Sequence, residues 1–356
     1  MKASGITRSI LSRLPPETAH ALTLGALRFG IRYSEQQSDP DLLNQNCFGL
    51  QFDNPIGLAA GFDKDAKALS GLLKLGFGAI EVGTITPQPQ KGNQKPRVFR
   101  LPEDGAVINR LGFNNEGVKK ARTRLARLSP NHGIIGANIG PNRNSDDPIK
   151  DYRECFTQLA PLVDYLVVNI SSPNTPGLRA WQGKNNLTRL ISNLHNKRSS
   201  LPHADGGAIP LLIKLAPDLN EPALEEIADV AIACKVDGLI ISNTTVQRPT
   251  SLVNKKRDEI GGLSGRPLFD LSTRMLANMH RRVDGTIPLI GIGGISSGED
   301  AYTKIRAGAS LVQLYTGFIY EGPQLLYDIK TVLAKKLTED GFSNISAAVG
   351  IDSSQY

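Results

Sequence analysis

Apolar and polar residues follow one another along this chain in blocks. From residue 49 onward, short runs rich in Ile, Val, Leu and Ala are each followed by a longer amphipathic stretch. The runs are 55–60 (PIGLAA), 78–83 (GAIEVG), 134–138 (IIGAN), 164–170 (DYLVVNI), 210–215 (PLLIKL), 237–242 (DGLIIS), 287–291 (IPLIG) and 311–315 (LVQLY). Continuous apolar runs of this length predict strands covered on both faces, as in a parallel sheet. The stretches 65–75, 115–127, 148–161, 184–197, 220–234, 269–282, 298–307 and 323–338 carry helical patterning. Eight strand–helix units over about 290 residues predict an α/β fold. A closed (β/α)8 TIM barrel suits that number better than an open doubly wound sheet, which remains the alternative.

The first thirty residues break the pattern. Lys2, Arg8, Arg13, Arg28 and Arg32 stand there against a single acid, Glu17. Ile6, Ile10, Leu11 and Leu14 precede a break at Pro15-Pro16, and Pro16 with Glu17 suits the first turn of a helix. Leu22, Ala26 and Phe29 recur at helical spacing, as do Leu24, Leu27 and Ile31, so the apolar face is broad. A short basic α-helical hairpin of this kind can lie on a membrane surface. The other reading is a helix packed on its own domain. Residues 33–41 (YSEQQSDPD) are polar and read as a linker. The predicted division is a small N-terminal α-helical hairpin domain, 1–38, and a barrel, 39–356.

Composition narrows the function. Apolar residues make up 40% and charged residues 21%, as in a soluble globular protein. The net charge of +7 suits anionic ligands or an anionic membrane surface. No dense Lys/Arg stripe is interleaved with aromatics, which argues against nucleic acid. Cys47, Cys155 and Cys234 lie far apart, which argues against a disulfide framework, a Cys-rich zinc site and an iron–sulfur cluster. A reducing compartment fits that usage. No apolar run reaches the roughly 18 residues of a spanning helix, and the N-terminal residues lack a signal-peptide pattern.

In a barrel, chemistry belongs at the C-terminal ends of the strands. Polar residues collect there: Ala60-Gly61-Phe62-Asp63-Lys64, Thr84, Asn138, Asn169 through Asn174, Lys214, Ser242 through Thr245, Gly293-Gly294 and Tyr315-Thr316. A long excursion adds Asn109 through Asn115. None of the five histidines falls near these ends, and Asp63 is the one acid among them, so no metal set is expected. Amides, hydroxyls and two lysines suit a flat, multiply hydrogen-bonded ligand such as a pyrimidine or a flavin ring. The stretch GIGGISSGED (291–300) with YTG (315–317) occupies the usual barrel phosphate position, although a tight turn explains the glycines equally well. Lys214 in LLIKLAP is costly inside a barrel mouth unless it meets an anion or an electron-rich ring. It could also be a snorkelling surface residue or a Schiff-base lysine.

Eight motifs in order carry a family resemblance: AAGFDK (59–64), INRLGFNN (108–115), VVNISSPNTPGLR (167–179), IKLAPDL (213–219), ISNTT (241–245), GGLSGRPL (261–268), IGGISSGEDA (292–301) and IRAGASLVQLYT (305–316). Together they resemble dihydroorotate dehydrogenase from about residue 15 to residue 340. Ser172 before Pro173-Asn174, where the cytosolic class carries Cys, resembles the membrane-associated, quinone-using class, as does LPPETAHALTL (14–24). Pro141 departs from relatives that often carry Lys there, and touches a loop only.

The resemblance implies an FMN enzyme that oxidises dihydroorotate to orotate in pyrimidine biosynthesis and passes electrons to a membrane quinone. It implies FMN contacts at Ala60, Gly61, Lys64, Thr84, Asn138, Asn169, Lys214, Ser242, Gly265, Gly294, Tyr315 and Thr316. The implied substrate contacts are Lys64, Asn109, Arg110, Leu111, Gly112, Phe113, Asn169, Asn174, Asn243 and Thr244. Ser172 matches the catalytic base, and His20, Arg100 and Tyr315 match the quinone path. A serine hydroxyl is a poor base at its ordinary acidity, so Ser172 needs help from a water chain or from Lys64. The expected location is the cytoplasmic face of a bacterial inner membrane, held peripherally, with no obligate protein partner. A fumarate- or NAD-linked cytosolic dihydroorotate dehydrogenase and a Schiff-base barrel lyase are the rival readings.

Overall fold

A computed structural model of the chain describes residues 11, 13–29, 38–128, 132–201 and 207–356. Most of the first half of the expected hairpin, and residues 33–37 of the expected linker, lie outside the described residues. In chain order the chain forms helix α1 (Pro16–Arg28), hairpin strands β1 (Gln45–Cys47) and β2 (Leu50–Phe52), then β3 (Ile56–Leu58), α2 (Leu69–Leu73) and β4 (Ala79–Ile85). An excursion, β5 (Val98–Leu101) and β6 (Ala106–Asn109), leads to α3 (Val118–Leu125). The alternation resumes with β7 (Ile134–Ile139), α4 (Pro148–Leu159), β8 (Tyr165–Asn169), α5 (Lys184–Arg198), β9 (Leu211–Leu215), α6 (Glu221–Ala233) and β10 (Gly238–Ile241). After β11 (Gly262–Gly265) come α7 (Phe269–Val283), β12 (Leu289–Ile292), α8 (Gly298–Arg306), β13 (Ala309–Leu314), α9 (Thr316–Glu321) and α10 (Gln324–Glu339).

The eight expected strands are β3, β4, β7, β8, β9, β10, β12 and β13, and they close into one barrel in that order. Each pairs in parallel with the next, and β13 returns to β3 through Val312↔Ile56. The (β/α)8 reading holds, and the doubly wound sheet is excluded by that closure. Two expected helices are shorter than their patterning. Ala66 adopts a left-handed φ of 57°, which a helix interior does not accommodate, so α2 starts only at Leu69. Gly117, at φ 83°, delays α3 to Val118.

The two-residue strand period sorts the barrel interior into layers. Near the strand starts, Ala79, Tyr165, Val167, Leu212, Ile240, Ile290 and Leu311 pack into one apolar cluster. The next inward positions toward the C-terminal ends are polar: Glu81 follows Ala79, Asn169 follows Val167, Lys214 follows Leu212 and Gln313 follows Leu311. Gly136 is required in this interior, because a Cβ there would stand 2.1 Å from Cζ of Tyr165. The β1–β2 hairpin, which the hydrophobic pattern did not reveal, adds Cys47 and Phe52 to the same cluster. Strands β5, β6 and β11 form a separate antiparallel sheet, with Gly262↔Asn109 and Val98↔Asn109 in register.

Candidate active site

Glu81 is the centre of the polar layer. Its Oε1 accepts from Asn138 Nδ2 at 2.8 Å and its Oε2 from Gln313 Nε2 at 2.6 Å. Lys214 Nζ lies 3.9 Å from the same carboxylate, and both side chains are buried. Burial pushes the Lys214 ammonium below its usual pKa, while Glu81 opposes the shift. A buried charge without a partner is strongly destabilising, so Glu81 makes a lysine in the barrel mouth tolerable. Above it, Thr84 Oγ1 donates to Asn138 Oδ1 at 2.5 Å, and Asn169 Nδ2 donates to Thr84 Oγ1 at 2.9 Å and to Asn138 Oδ1 at 3.1 Å. The network continues to the next loops. Ser171 Oγ donates to Asn169 Oδ1 at 3.0 Å and accepts from Asn243 Nδ2 at 3.0 Å.

This layer floors a narrow inner cavity of about 140 Å³. Its walls include Ala60, Gly61, Lys64, Thr84, Asn169, Lys214, Ser242, Gly265, Gly294, Tyr315 and Thr316. Ser172, Asn109, Leu111, Gly112, Phe113, Asn174, Asn243, Thr244, Gly293 and Gln313 also line it. Ser172 Oγ accepts from the backbone N–H of Asn174 at 3.3 Å, the local turn that an S-P-N sequence favours. Asn174 Nδ2 in turn donates to the carbonyl of Asn109 at 3.1 Å, which ties the loop after β8 to strand β6. Lys64 Nζ donates to the Gly61 carbonyl at 2.9 Å. Burial lowers its pKa to about 8, with Asp65 opposing and Arg97 adding to the shift.

A second, larger space opens beside the first. This outer cleft measures about 1990 Å³ and shares Lys64, Asn109, Leu111, Gly265, Gly294 and Tyr315 with the inner cavity. One side of it is α1. His20 stacks edge-on against Phe62 at 5.2 Å, and Phe62 against Phe318 at 5.4 Å. Burial, and then the Lys64 charge, lower the His20 pKa to about 4, so the ring is neutral at pH 7. Arg100 Nη1 donates to the Leu14 carbonyl at 2.8 Å, and Arg97 donates to Glu17 Oε1 at 2.8 and 3.1 Å. The helix is therefore docked on the barrel, yet Leu22 and Phe29 remain 54% and 88% exposed. The reading of a helix packed on its own domain holds.

A model of the family described as dihydroorotate dehydrogenase matches residues 42–337. The chain belongs to the dihydroorotate dehydrogenase family. The quinone-type dihydroorotate dehydrogenase of Xanthobacter autotrophicus is 48% identical over 99% of this chain and 99% of its own length. The corresponding enzyme of Parvibaculum lavamentivorans is 49% identical, covering 98% of each. A crystal structure of the Eimeria tenella dihydroorotate dehydrogenase in complex with ferulenol superposes with a TM-score of 0.91 at 41% identity, covering 95% of both chains. Membership of the dihydroorotate dehydrogenase family carries a flavin cofactor with it.

The residues fit such a group. Amides, hydroxyls and Lys214 offer donors and acceptors around one cavity, and the buried Gln313 Oε1 in its wall has no partner among the described residues. The inner slot alone is smaller than the several hundred Å³ usual for a ligand pocket, so a flavin nucleotide needs the shared wall of the outer cleft as well.

Two sequence-predicted residues depart from the dihydroorotate dehydrogenase expectation. Arg110 is turned away: its guanidinium pairs with Glu259 Oε2 at 2.7 Å, lies over the Phe99 ring and does not line the inner cavity. The adjacent positions alternate across β6, so Asn109 facing the cavity sends Arg110 outward. Asn138 sits behind the wall, fully buried, where it holds Thr84 and Asn169 in place. Glu81 and Gln313 were missed, and Ser171 was placed in the polar rim without a role. Glu81 was legible as a lone acid in the apolar run GAIEVG, a position that demands a buried cation nearby. No helix of the described residues is long and apolar enough to cross a membrane.

Proposed function

We propose that this chain is a quinone-linked dihydroorotate dehydrogenase that oxidises (S)-dihydroorotate to orotate, with FMN as its flavin, in de novo pyrimidine biosynthesis. The observation that carries the reading is the pair of spaces with one common wall: a polar slot holding Ser172 and Lys214, and an apolar cleft roofed by α1. Two half-reactions with a polar substrate and an apolar acceptor need that arrangement. The quinone-type relatives weigh against a fumarate- or NAD-linked enzyme, and the family weighs against a Schiff-base lyase.

When bound, the flavin would supply the redox chemistry, as carrier of the hydride from C6 of the substrate and of electrons to the quinone. Ser172 Oγ takes the proton from C5. The Asn174 N–H that points at this oxygen stabilises negative charge as it develops there. Lys64 and the amides of Asn109, Asn174 and Asn243 hold the anionic, multiply hydrogen-bonding substrate against the slot. Lys214 would place positive charge beside the flavin ring, and Glu81 fixes where that ammonium sits. His20, Arg100 and Tyr315 line the outer cleft, which supports their role on the approach of the quinone ring. Residues 1–38 serve as the access segment, and 39–356 as the flavin-binding barrel. Arg28 at the end of α1, with the exposed Leu22 and, just past the helix, Phe29, supports peripheral attachment to the cytoplasmic face of a bacterial inner membrane.

The visible spectrum of the purified protein tests the reading. A flavin band that bleaches on anaerobic dihydroorotate and returns on adding a quinone is the expected result. A band that persists with dihydroorotate removes the substrate assignment, and absence of flavin after added FMN removes the reading altogether.

A further inference from the structure

Lys304 lies on the buried face of α8, between Ala301 and Ile305, and is completely excluded from solvent. Nothing in the mechanism above uses it. Its Nζ donates to Ser272 Oγ at 2.6 Å and to the Phe269 carbonyl at 3.4 Å, and sits 4.9 Å over the Phe269 ring. Among the described residues no carboxylate forms an ion pair with it. Asp270 and Asp300 act only at longer range, and the Asp300 carboxylate already accepts from Ser296 N and Oγ at 2.8 and 2.9 Å. Lys214, buried inside the barrel, has Glu81 at 3.9 Å. Burial favours the neutral amine here and holds the group well below its ordinary pKa, so its charged form calls for an anion nearby.

The place of this ammonium supplies a reason for it. Ser272 Oγ lies 3.1 Å from the Gly293 carbonyl, and its single proton goes either there or to a carbonyl of its own helix. A Cβ on Gly294 would stand 2.6 Å from Cα of Phe269, so the backbone of Phe269 is packed directly behind that glycine. Gly293, Gly294 and Thr316 wall the inner cavity, at the barrel position where phosphates bind. The start of α7, at Phe269 and Ser272, and the Gly293–Gly294 backbone therefore stand between the Lys304 ammonium and the anion that the FMN reading puts there.

We propose that Lys304 is the buried counter-charge of the flavin phosphate, a positioning residue that acts through Ser272 and the Gly293–Gly294 loop rather than by contact. The proposal rests on FMN being the cofactor. It makes Lys304 selective for the phosphorylated flavin: its charge strengthens FMN binding and is indifferent to riboflavin.

The test is equilibrium exchange of the purified full-length protein against free FMN and against riboflavin, read by quenching of flavin fluorescence. In Lys304→Met, FMN affinity falls on the order of tenfold while riboflavin affinity stays within about twofold. Lys304→Gln keeps a donor to Ser272 and loses the charge, and it lowers the FMN-to-riboflavin ratio in the same way. A folded variant of either kind that keeps the wild-type ratio overturns the proposal, since a packing defect weakens both flavins alike. A wild-type protein with no preference for FMN over riboflavin overturns the FMN reading itself.

Discussion

The inner cavity and the outer cleft share a wall but are built by opposite means. The inner one is assembled from the ends of hydrogen-bonded barrel strands, where Glu81, Asn138, Thr84 and Asn169 fix one another through four short contacts. Its side chains have few alternative positions. The outer one is a helix laid against loops, held by Glu17–Arg97, by the Leu14 carbonyl on Arg100 and by aromatic edges around Phe62. Proton and hydride transfer need reacting atoms placed to within fractions of an ångström. A long apolar acceptor that arrives from a bilayer needs access more than placement. The difference teaches that rigidity here is distributed according to the half-reaction served.

Substitutions on either side of the common wall can break that division. The largest effect belongs to Ser172→Ala. Flavin reduction by dihydroorotate slows about 10²–10⁴-fold in stopped flow, while flavin content and reoxidation by quinone stay as in the wild type. Equal losses in both half-reactions would dissolve the division. Next comes the pH profile. Lys64 is charged below about pH 8 and loses its proton above it, so kcat/KM for the anionic substrate falls about tenfold per unit well above pH 8. Lys64→Met gives a low profile without that descent. Removing residues 1–28 lowers turnover with quinone-containing vesicles on the order of tenfold by loss of surface co-localisation, with substrate-driven flavin reduction unchanged. The smallest effect is that of Glu17→Gln. It removes the charge facing the buried Arg97 and, at 3.9 Å, Lys95, but leaves an amide oxygen to accept from Arg97, and raises the quinone KM about twofold or less. A large effect there on dihydroorotate KM would instead tie the helix to the inner cavity through Arg97 and Asn93.

The barrel was legible because buried parallel strands print themselves as unbroken apolar runs, and LVVNI and LLIKL cannot be much else. The polar rim was legible for the same reason: where such a run ends in Asn, Lys or Ser, the polar residue lies at the barrel mouth. The antiparallel sheet was not. Its strands VFRL, AVIN and GLSG are short, two of them alternate weakly, and their partner lies far off in the chain. Arg110 was misplaced for that reason, since only the pairing of β6 with β11 decides which side of the strand faces the cavity. Lys304 was invisible in another way. A lysine in an amphipathic helix reads as solvated, and only the packing of α8 on α7 turns it inward.

The sheet that joins β6 to β11 also sets a timetable. Arg110 and Glu259, which pair across it, are 149 residues apart, as are Asp104 and Val253. A ribosome adding about 5–20 residues per second needs roughly 7–30 s to cover that gap. Throughout it, β6 carries an unpaired edge, a template for other strands. Asn109 has not yet been given its facing side, and the mouth of the barrel stands unfinished. The moment of greatest vulnerability for this protein is therefore its own synthesis, between the emergence of the first wall of the site and the arrival of the last.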